Sequence, residues 1–446
     1  LNGGSDMDME SYIYLTELES LLKEGLVTMS QIDDAVRRIL TVKYELGLFD
    51  DPFRYCDTIR EKEITGSPEI RAGALDMAKK SIVLLKNDDA VLPLKKGGQT
   101  VALIGPLAAD KNSPLGNWRI AGENSSAISV LEGMLKYDGN TIIHEQGVKL
   151  VNAIPAFHQE VDINTTDKGG MKAAKNAAKN ADVVVMVLGE YGFQSGEGRS
   201  RSKLDLPGFQ QELLEEVYSV NKNIVLVLMN GRPLVLNWAD EHLPAIVEAW
   251  HLGTESGNAI AEVLYGDYNP SGKLPMSFPR SVGQMPLYYN YKNTGRPGAK
   301  GADAGSVFWS HYGDEKNTPL YPFGYGLSYT EFEYSDITLS KSELDNGTKI
   351  EASVTLTNIG KVKGKEVVQM YIKDHYASVT RPVRELKDFE LVELEPGAST
   401  QIIFEITPET LQFYSANKKW ESEPGTFSLL IGTNSNTIRS IDFKLK

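Results

Sequence analysis

Short apolar runs alternate with helical stretches between about residues 69 and 290. The runs are rich in β-branched residues and cover 101–104, 141–144, 183–188, 224–228 and 245–250. Apolar residues recur at helical spacing between them, over 171–181, 209–220 and 257–264. This alternation predicts a mostly parallel sheet with helices on both faces. Ligands of such sheets bind at the carboxyl ends of the strands. The loops of interest therefore follow Ile104, Leu188, Leu228 and Trp250.

The last part of the chain has a different pattern, with a period of two residues. Segments of this kind recur at 332–339, 349–357, 366–373, 400–406 and 426–431, separated by turn signals that contain Gly. This pattern predicts an antiparallel β-sandwich over residues 319–446.

The start of the chain predicts two helices within residues 1–50. Ser30 and Asp33 resemble a capping box for the second helix. Fifty residues bury too little surface to form a core of their own, so we expect these helices to dock on a larger domain. The predicted organisation is a helical segment (1–50), a linker (51–68), an α/β domain (69–290), a connector (291–318) and a β-sandwich (319–446).

Composition and motifs exclude several classes of function. The longest apolar runs have six residues, whereas a bilayer-crossing helix needs about 20. A net charge of −14 repels nucleic acid. Cys56 is the only cysteine, so no intrachain disulfide forms. The sequence contains no GxSxG, HExxH or GxGxxG motif, and Gly266–Lys273 departs from the phosphate-binding loop. We therefore predict neither a metal nor another cofactor.

Candidate chemistry is concentrated in residues 189–202, directly after the apolar run 183–188. This loop carries Glu190, Glu197, Arg199 and Arg201, together with glycines that allow close approach to a ligand. A carboxylic acid held by Arg199 or Arg201 and aimed into a cleft can give and take a proton. The alternative is a solvated loop with surface ion pairs.

A second candidate loop follows the run 101–104 and carries Trp118 beside Asn117 and Gly116. A Trp at the carboxyl end of a strand can be a stacking platform for a sugar ring or a hydrophobic plug. The sequence leaves both interpretations open.

Five strings, in this order, resemble family 3 glycoside hydrolases, especially the bacterial periplasmic β-glucosidases. They are SIVLLKND with LPL, VALIGPLA, LMNGRPL, GTESGNAIAEVLYGDYNPSGKLPMSFP and LYPFGYGLSYTEF. The resemblance covers essentially the whole chain. It implies a (β/α)8 barrel, an α/β sandwich and a fibronectin type III-like domain, with only a short helical remnant of the barrel at the start of this chain.

The resemblance also implies a reaction and its residues. In the family, an aspartate from the barrel attacks the anomeric carbon of a β-glucoside. A glutamate from the sandwich domain serves as general acid and then as general base, and the anomeric configuration is retained. Glu197 matches that glutamate, and Glu190 is the runner-up. Trp118 matches the outer sugar site, and Arg199 and Arg201 are substrate-binding candidates.

The expected nucleophile lies upstream of the segment Gly3–Met9, so we expect this chain to be a carboxy-terminal part that lacks it. Asp6 and Asp8 match the stretch after the nucleophile. We expect a β-linked gluco-oligosaccharide as substrate, the barrel in the same polypeptide, and a periplasmic or extracellular location. A homodimer contact stays open. The alternatives are a non-catalytic carbohydrate-binding or structural module, and β-xylosidase or exo-glucanase specificity.

Overall fold

A computed structural model describes residues 1–119, 122–297, 307–437 and 439–446. Part of the predicted connector and two residues of the Trp118 loop, Ile120 and Ala121, lie outside the described residues. The chain divides into two compact units, residues 1–70 and residues 71–446.

The first unit is helical, as predicted, and consists of α1 (Ile13–Lys23), α2 (Met29–Glu45) and α3 (Thr58–Ile64). The capping box of α2 is formed by Thr28 and Gln31: the Gln31 amide donates to Thr28 Oγ1 at 3.3 Å and the Thr28 amide donates to Gln31 Oε1 at 2.8 Å. The predicted box of Ser30 and Asp33 is wrong, because both residues already lie inside the helix.

The second unit begins with a mixed six-stranded sheet. Its strands are β1 (Val83–Asn87), β2 (Gly97–Ile104), β3 (Gly139–Glu145), β4 (Val183–Gly189), β5 (Ile224–Met229) and β6 (Ala245–Glu248), in the order β1-β6-β5-β4-β2-β3. β2 to β6 are parallel, and β1, which the apolar pattern missed, pairs antiparallel with β6. The accompanying helices are α4 (Pro68–Ser81), which starts in the first unit, α5 (Val130–Met134), α6 (Met171–Lys179), α7 (Gln210–Tyr218), α8 (Asn237–His242) and α9 (Ser256–Leu264).

The central strands β4 and β5 are buried along their whole length, because helices cover both faces of the sheet. The predicted mostly parallel, covered sheet is thus confirmed. β6 ends at Glu248, two residues before the predicted end. Trp250 adopts a φ of 52°, which an extended strand does not accommodate.

The carboxy-terminal part is a β-sandwich, as predicted. One sheet contains β7 (Phe332–Tyr334), β8 (Thr338–Leu339), β10 (Ile350–Asn358) and β13 (Ser399–Ile406). The other contains β9 (Glu343–Leu344), β11 (Gly364–Asp374), β12 (Glu385–Leu394), β16 (Gly425–Gly432) and β17 (Ser440–Leu445), and a small hairpin is formed by β14 (Phe413–Tyr414) and β15 (Trp420–Glu421). The two sheets enclose a separate apolar core.

The segment 320–329 joins the sandwich to the α/β layers. The Leu327 amide donates to the Leu84 carbonyl at 2.8 Å, which fixes the segment beside β1. Lys273 binds Glu366 of β11 at 3.0 Å, and the hydroxyl of Tyr334 donates to the same carboxylate at 3.1 Å. A largely buried ion pair therefore connects the two domains. Within the described ranges, no helix has the length and apolar character needed to cross a bilayer.

Candidate active site

Glu190, the first residue after β4, is completely buried and holds two arginines. Its Oε1 lies 2.7 Å from Arg201 Nη1 and 3.1 Å from Arg232 Nε, and the Gly231 amide donates to its Oε2 at 3.3 Å. The side chain is 0% exposed, so its carboxylate binds groups of the protein rather than solvent. This carboxylate joins the start of the loop after β4 to the end of that loop and to the loop after β5.

Glu197 has the opposite environment, since it is exposed at the tip of the same loop. It stands between Gly196, with φ of 115°, and Gly198, with φ of 69°. A Cβ on Gly196 would lie 2.2 Å from Asn117 Nδ2, so a side chain there would collide with the neighbouring loop. The glycines therefore permit a tight tip that presents the Glu197 carboxyl outward.

Arg199 and Arg201 bind groups other than Glu197. Arg199 Nη2 donates to the Phe157 carbonyl at 2.7 Å. Arg201 donates to Glu190 and, at 2.9 Å, to the Asp205 carbonyl. Arg201 thus holds one of the two carboxylates of the loop, that of Glu190. Their contacts instead fix the backbone on both sides of the loop.

Trp118 lies on the neighbouring loop and is 62% exposed. Its ring centroid is 6.2 Å from that of Phe157, which in turn packs edge-on against Phe193 of the loop after β4. The Gly192 amide donates to Ser113 Oγ at 3.1 Å and so joins the two loops. Within this chain the Trp118 side chain is therefore exposed, as a stacking platform for a sugar requires.

Sequence reasoning missed three residues: Arg232, which follows β5, Glu248, which ends β6, and His251, which follows β6. Arg232 Nη2 donates to the Gln194 and Arg199 carbonyls, the latter at 2.8 Å. The sequence did contain a signal for Arg232, because this residue lies in the loop after Leu228, one of the loops that follow a predicted strand. Its partners were not predictable from the sequence, since they lie more than 30 residues away.

Glu248, which is buried, and His251, which is partly buried, lie at the same edge of the sheet and have shifted pKa values. Glu248 accepts hydrogen bonds from the Trp250 amide at 2.9 Å and from Asn230 Nδ2 at 3.1 Å, and burial raises its pKa well above the ordinary value. Burial lowers the pKa of His251 to about 4, so its imidazole is neutral near pH 7. The only signal for Glu248 was a single acidic residue within an apolar run.

The other candidate carboxylates, Asp6 and Asp8, belong to the first unit and have local partners. Asp6 binds Arg38 at 2.7 Å, and this hydrogen bond lowers the pKa of the Asp6 carboxyl. Asp8 accepts from the Tyr14 amide at 3.2 Å, near the start of α1. Both carboxylates thus have roles in holding the helical unit together.

Residues 82–329 match the family model of the glycosyl hydrolase family 3 C-terminal domain. The chain belongs to glycoside hydrolase family 3. Residues 366–435 of this family 3 chain match the fibronectin type III-like domain. Both matches confirm the resemblance and the predicted order of an α/β domain followed by a β-sandwich.

Similar proteins match nearly the whole of this family 3 chain. The periplasmic beta-glucosidase of Salmonella typhimurium is 43% identical, and the alignment covers 100% of the chain and 59% of that relative. The beta-xylosidase of Formosa agariphila is 40% identical over 98% of the chain and 59% of that relative. The crystal structure of beta-glucosidase from Listeria innocua in complex with glucose has a TM-score of 0.89 and 38% identity, over 99% of this chain and 58% of that one. The chain thus spans about 59% of the length of these curated relatives.

Proposed function

We propose that this chain is the carboxy-terminal part of a retaining, exo-acting β-glucosidase that removes terminal β-D-glucosyl residues from oligosaccharides, with Glu197 as the general acid/base. The observation that carries the proposal is the position of Glu197. Glu197 is exposed between two glycines, at the tip of a loop at the carboxyl edge of the sheet. A hydrogen bond joins this loop to the neighbouring loop, which carries the exposed Trp118. The similar proteins named as beta-glucosidases support it.

In the proposed mechanism, an aspartate attacks the anomeric carbon while the protonated Glu197 gives its proton to the departing glycosidic oxygen. The ionised Glu197 then takes a proton from the water that attacks the glycosyl ester, which frees the aspartate and restores the acid. Retention requires the two carboxyl groups to lie about 5 to 5.5 Å apart. We propose that the nucleophile lies in a barrel domain upstream, as the family resemblance implies, and this chain covers only 59% of the length of the Salmonella relative.

The remaining site residues have supporting roles in this proposal. Trp118 stacks on the outer sugar, the part of the substrate that leaves. Arg199 and Arg201, first considered as substrate-binding residues, act by shaping the loop, since their guanidinium groups contact Phe157 and Glu190. We also propose a periplasmic or extracellular location, by similarity to the Salmonella protein.

Glu197→Gln in the full-length enzyme tests the assignment. General acid catalysis contributes about 10²- to 10⁴-fold, so kcat/KM on cellobiose should fall by at least about 100-fold. kcat/KM on 2,4-dinitrophenyl β-glucoside should fall much less, because it reports formation of the glycosyl ester and this leaving group departs without a proton. Glu123→Gln, at another exposed carboxylate near Trp118, is the matched control and should leave both rates unchanged. Full activity of Glu197→Gln on cellobiose would refute the assignment.

β-Xylosidase activity is the second candidate, because a relative named beta-xylosidase is 40% identical over 98% of the chain. The ratio of kcat/KM on p-nitrophenyl β-xyloside to that on the β-glucoside distinguishes the two specificities. A ratio above one would assign the enzyme to xylosides. Inactivity of the full-length enzyme on every β-glycoside tried would favour a carbohydrate-binding module.

A further inference from the structure

Arg232 binds the loop that carries Glu197 at two points. Its Nη2 donates to the carbonyl oxygens of Gln194 and Arg199, the latter at 2.8 Å. These carbonyls lie on either side of the segment 195–198, so one guanidinium group closes the base of the tip. The planar fork of an arginine can bind two acceptors and a carboxylate together, which the single ammonium of a lysine cannot reproduce.

Glu190 in turn fixes the orientation of Arg232. The Arg232 Nε lies 3.1 Å from Glu190 Oε1, and the same carboxylate binds Arg201 at the far end of the loop. Glu190 is fully buried and the Arg232 side chain is only 20% exposed, so solvent competes little for these bonds. The loop is therefore tied at its start, on both sides of the tip and at its end.

The tip needs such restraint because its own residues restrict the backbone little. Gly196 and Gly198 flank Glu197, and glycine restricts the backbone less than any other residue. Ordering such a segment costs conformational entropy, which other contacts must offset. Contacts at Gln194 and Arg199 restrain the tip without occupying the exposed carboxyl of Glu197.

We propose that Arg232, held by Glu190, is a positioning residue that sets where the Glu197 carboxyl meets the glycosidic oxygen. The inference rests on the proposed acid/base role of Glu197. It makes a specific claim, because a misplaced acid lowers kcat/KM, which reports formation of the glycosyl ester, mainly for substrates whose leaving group needs a proton. A residue that merely stabilised the fold would affect all substrates alike.

The test compares Arg232→Lys with the parent enzyme in the full-length protein, on cellobiose and on 2,4-dinitrophenyl β-glucoside. A displacement of about 1 Å can cost about 100-fold. We therefore expect kcat/KM on cellobiose to fall by about 10- to 100-fold, and that on the dinitrophenyl substrate by less than about 3-fold. Arg381→Lys is the matched control. It alters a buried arginine of the sandwich that binds Asp374 and Glu385, and it should leave the ratio of the two rates unchanged.

Equal losses on both substrates, or no loss on either, would overturn the inference. If Arg232→Lys does not fold, Glu190→Gln serves as the second variant and should produce the same divergence between substrates. Glu197→Gln, measured in parallel, separates the two claims. If it discriminates between the substrates and Arg232→Lys does not, only the inference fails. If Glu197→Gln does not discriminate, the acid/base assignment fails, and the inference fails with it.

Discussion

At the scale of single residues, two glutamates of one loop have different surroundings and, in the proposed mechanism, separate roles. Glu190 is buried against Arg201 and Arg232, whereas Glu197 is exposed between two glycines. The sequence predicted the loop and both carboxylates, since each is local to the strand that precedes it. It did not predict the partner of Glu190 that lies 42 residues away, because that contact exists only once β4 and β5 are neighbours.

Trp118→Ala tests the outer sugar site at the same scale. Losing an aromatic platform costs about 1.4 kcal/mol, or about tenfold in affinity. The KM for cellobiose should rise by about tenfold, while kcat changes little. Steady-state kinetics of the full-length enzyme measure both. Trp420→Ala, at another exposed Trp on the sandwich, is the control, and equal behaviour of the two variants would contradict the role of Trp118.

At the scale of elements, most strands with continuous or alternating apolar residues were predicted to within a few residues, whereas β1 and β17 were missed. β12 was missed because half of its side chains are exposed and several are charged, so no apolar alternation marks it. The early end of β6 was missed because the left-handed backbone of Trp250 has no glycine to signal it. For the same reason, the sequence did not show that Glu248 is the last residue of β6.

Glu248→Gln gives a pH-dependent prediction for β6. Burial raises the pKa of Glu248 in the folded protein, and the nearby Glu190 acts in the same direction. Above the ordinary pKa of a glutamate, the unfolded chain loses a proton that the folded chain keeps, so this group lowers stability as the pH rises. The free energy of unfolding of Glu248→Gln, relative to the parent chain, should therefore increase from pH 5 to pH 8, by at most about 1.4 kcal/mol per pH unit.

Denaturant titrations across that pH range measure this difference. Glu241→Gln, at an exposed position of α8, should show little pH-dependent difference from the parent. If the difference in the free energy of unfolding between Glu248→Gln and the parent is constant with pH, or falls as the pH rises, Glu248 does not keep its proton in the folded state.

At the scale of the whole molecule, the α/β layers and the sandwich are joined by a buried contact. Lys273 binds Glu366, whose pKa is raised by burial, and it also donates to the Gly326 carbonyl at 2.7 Å. The proposed chemistry lies elsewhere, at the carboxyl edge of the α/β sheet. In the proposed mechanism, Glu197 is the acid/base of a retaining glycosidase and the barrel supplies the nucleophile.

Azide rescue of Glu197→Ala in the full-length enzyme tests this claim most directly. With an activated aryl glucoside, the variant should form the glycosyl ester and then hydrolyse it slowly, because no base activates the water. Azide needs no such base, so it should attack the ester, restore turnover by at least about tenfold and yield β-glucosyl azide. Glu123→Ala is the control and should show no azide dependence. An unrescued Glu197→Ala, or an α-configured azide product, would contradict the account.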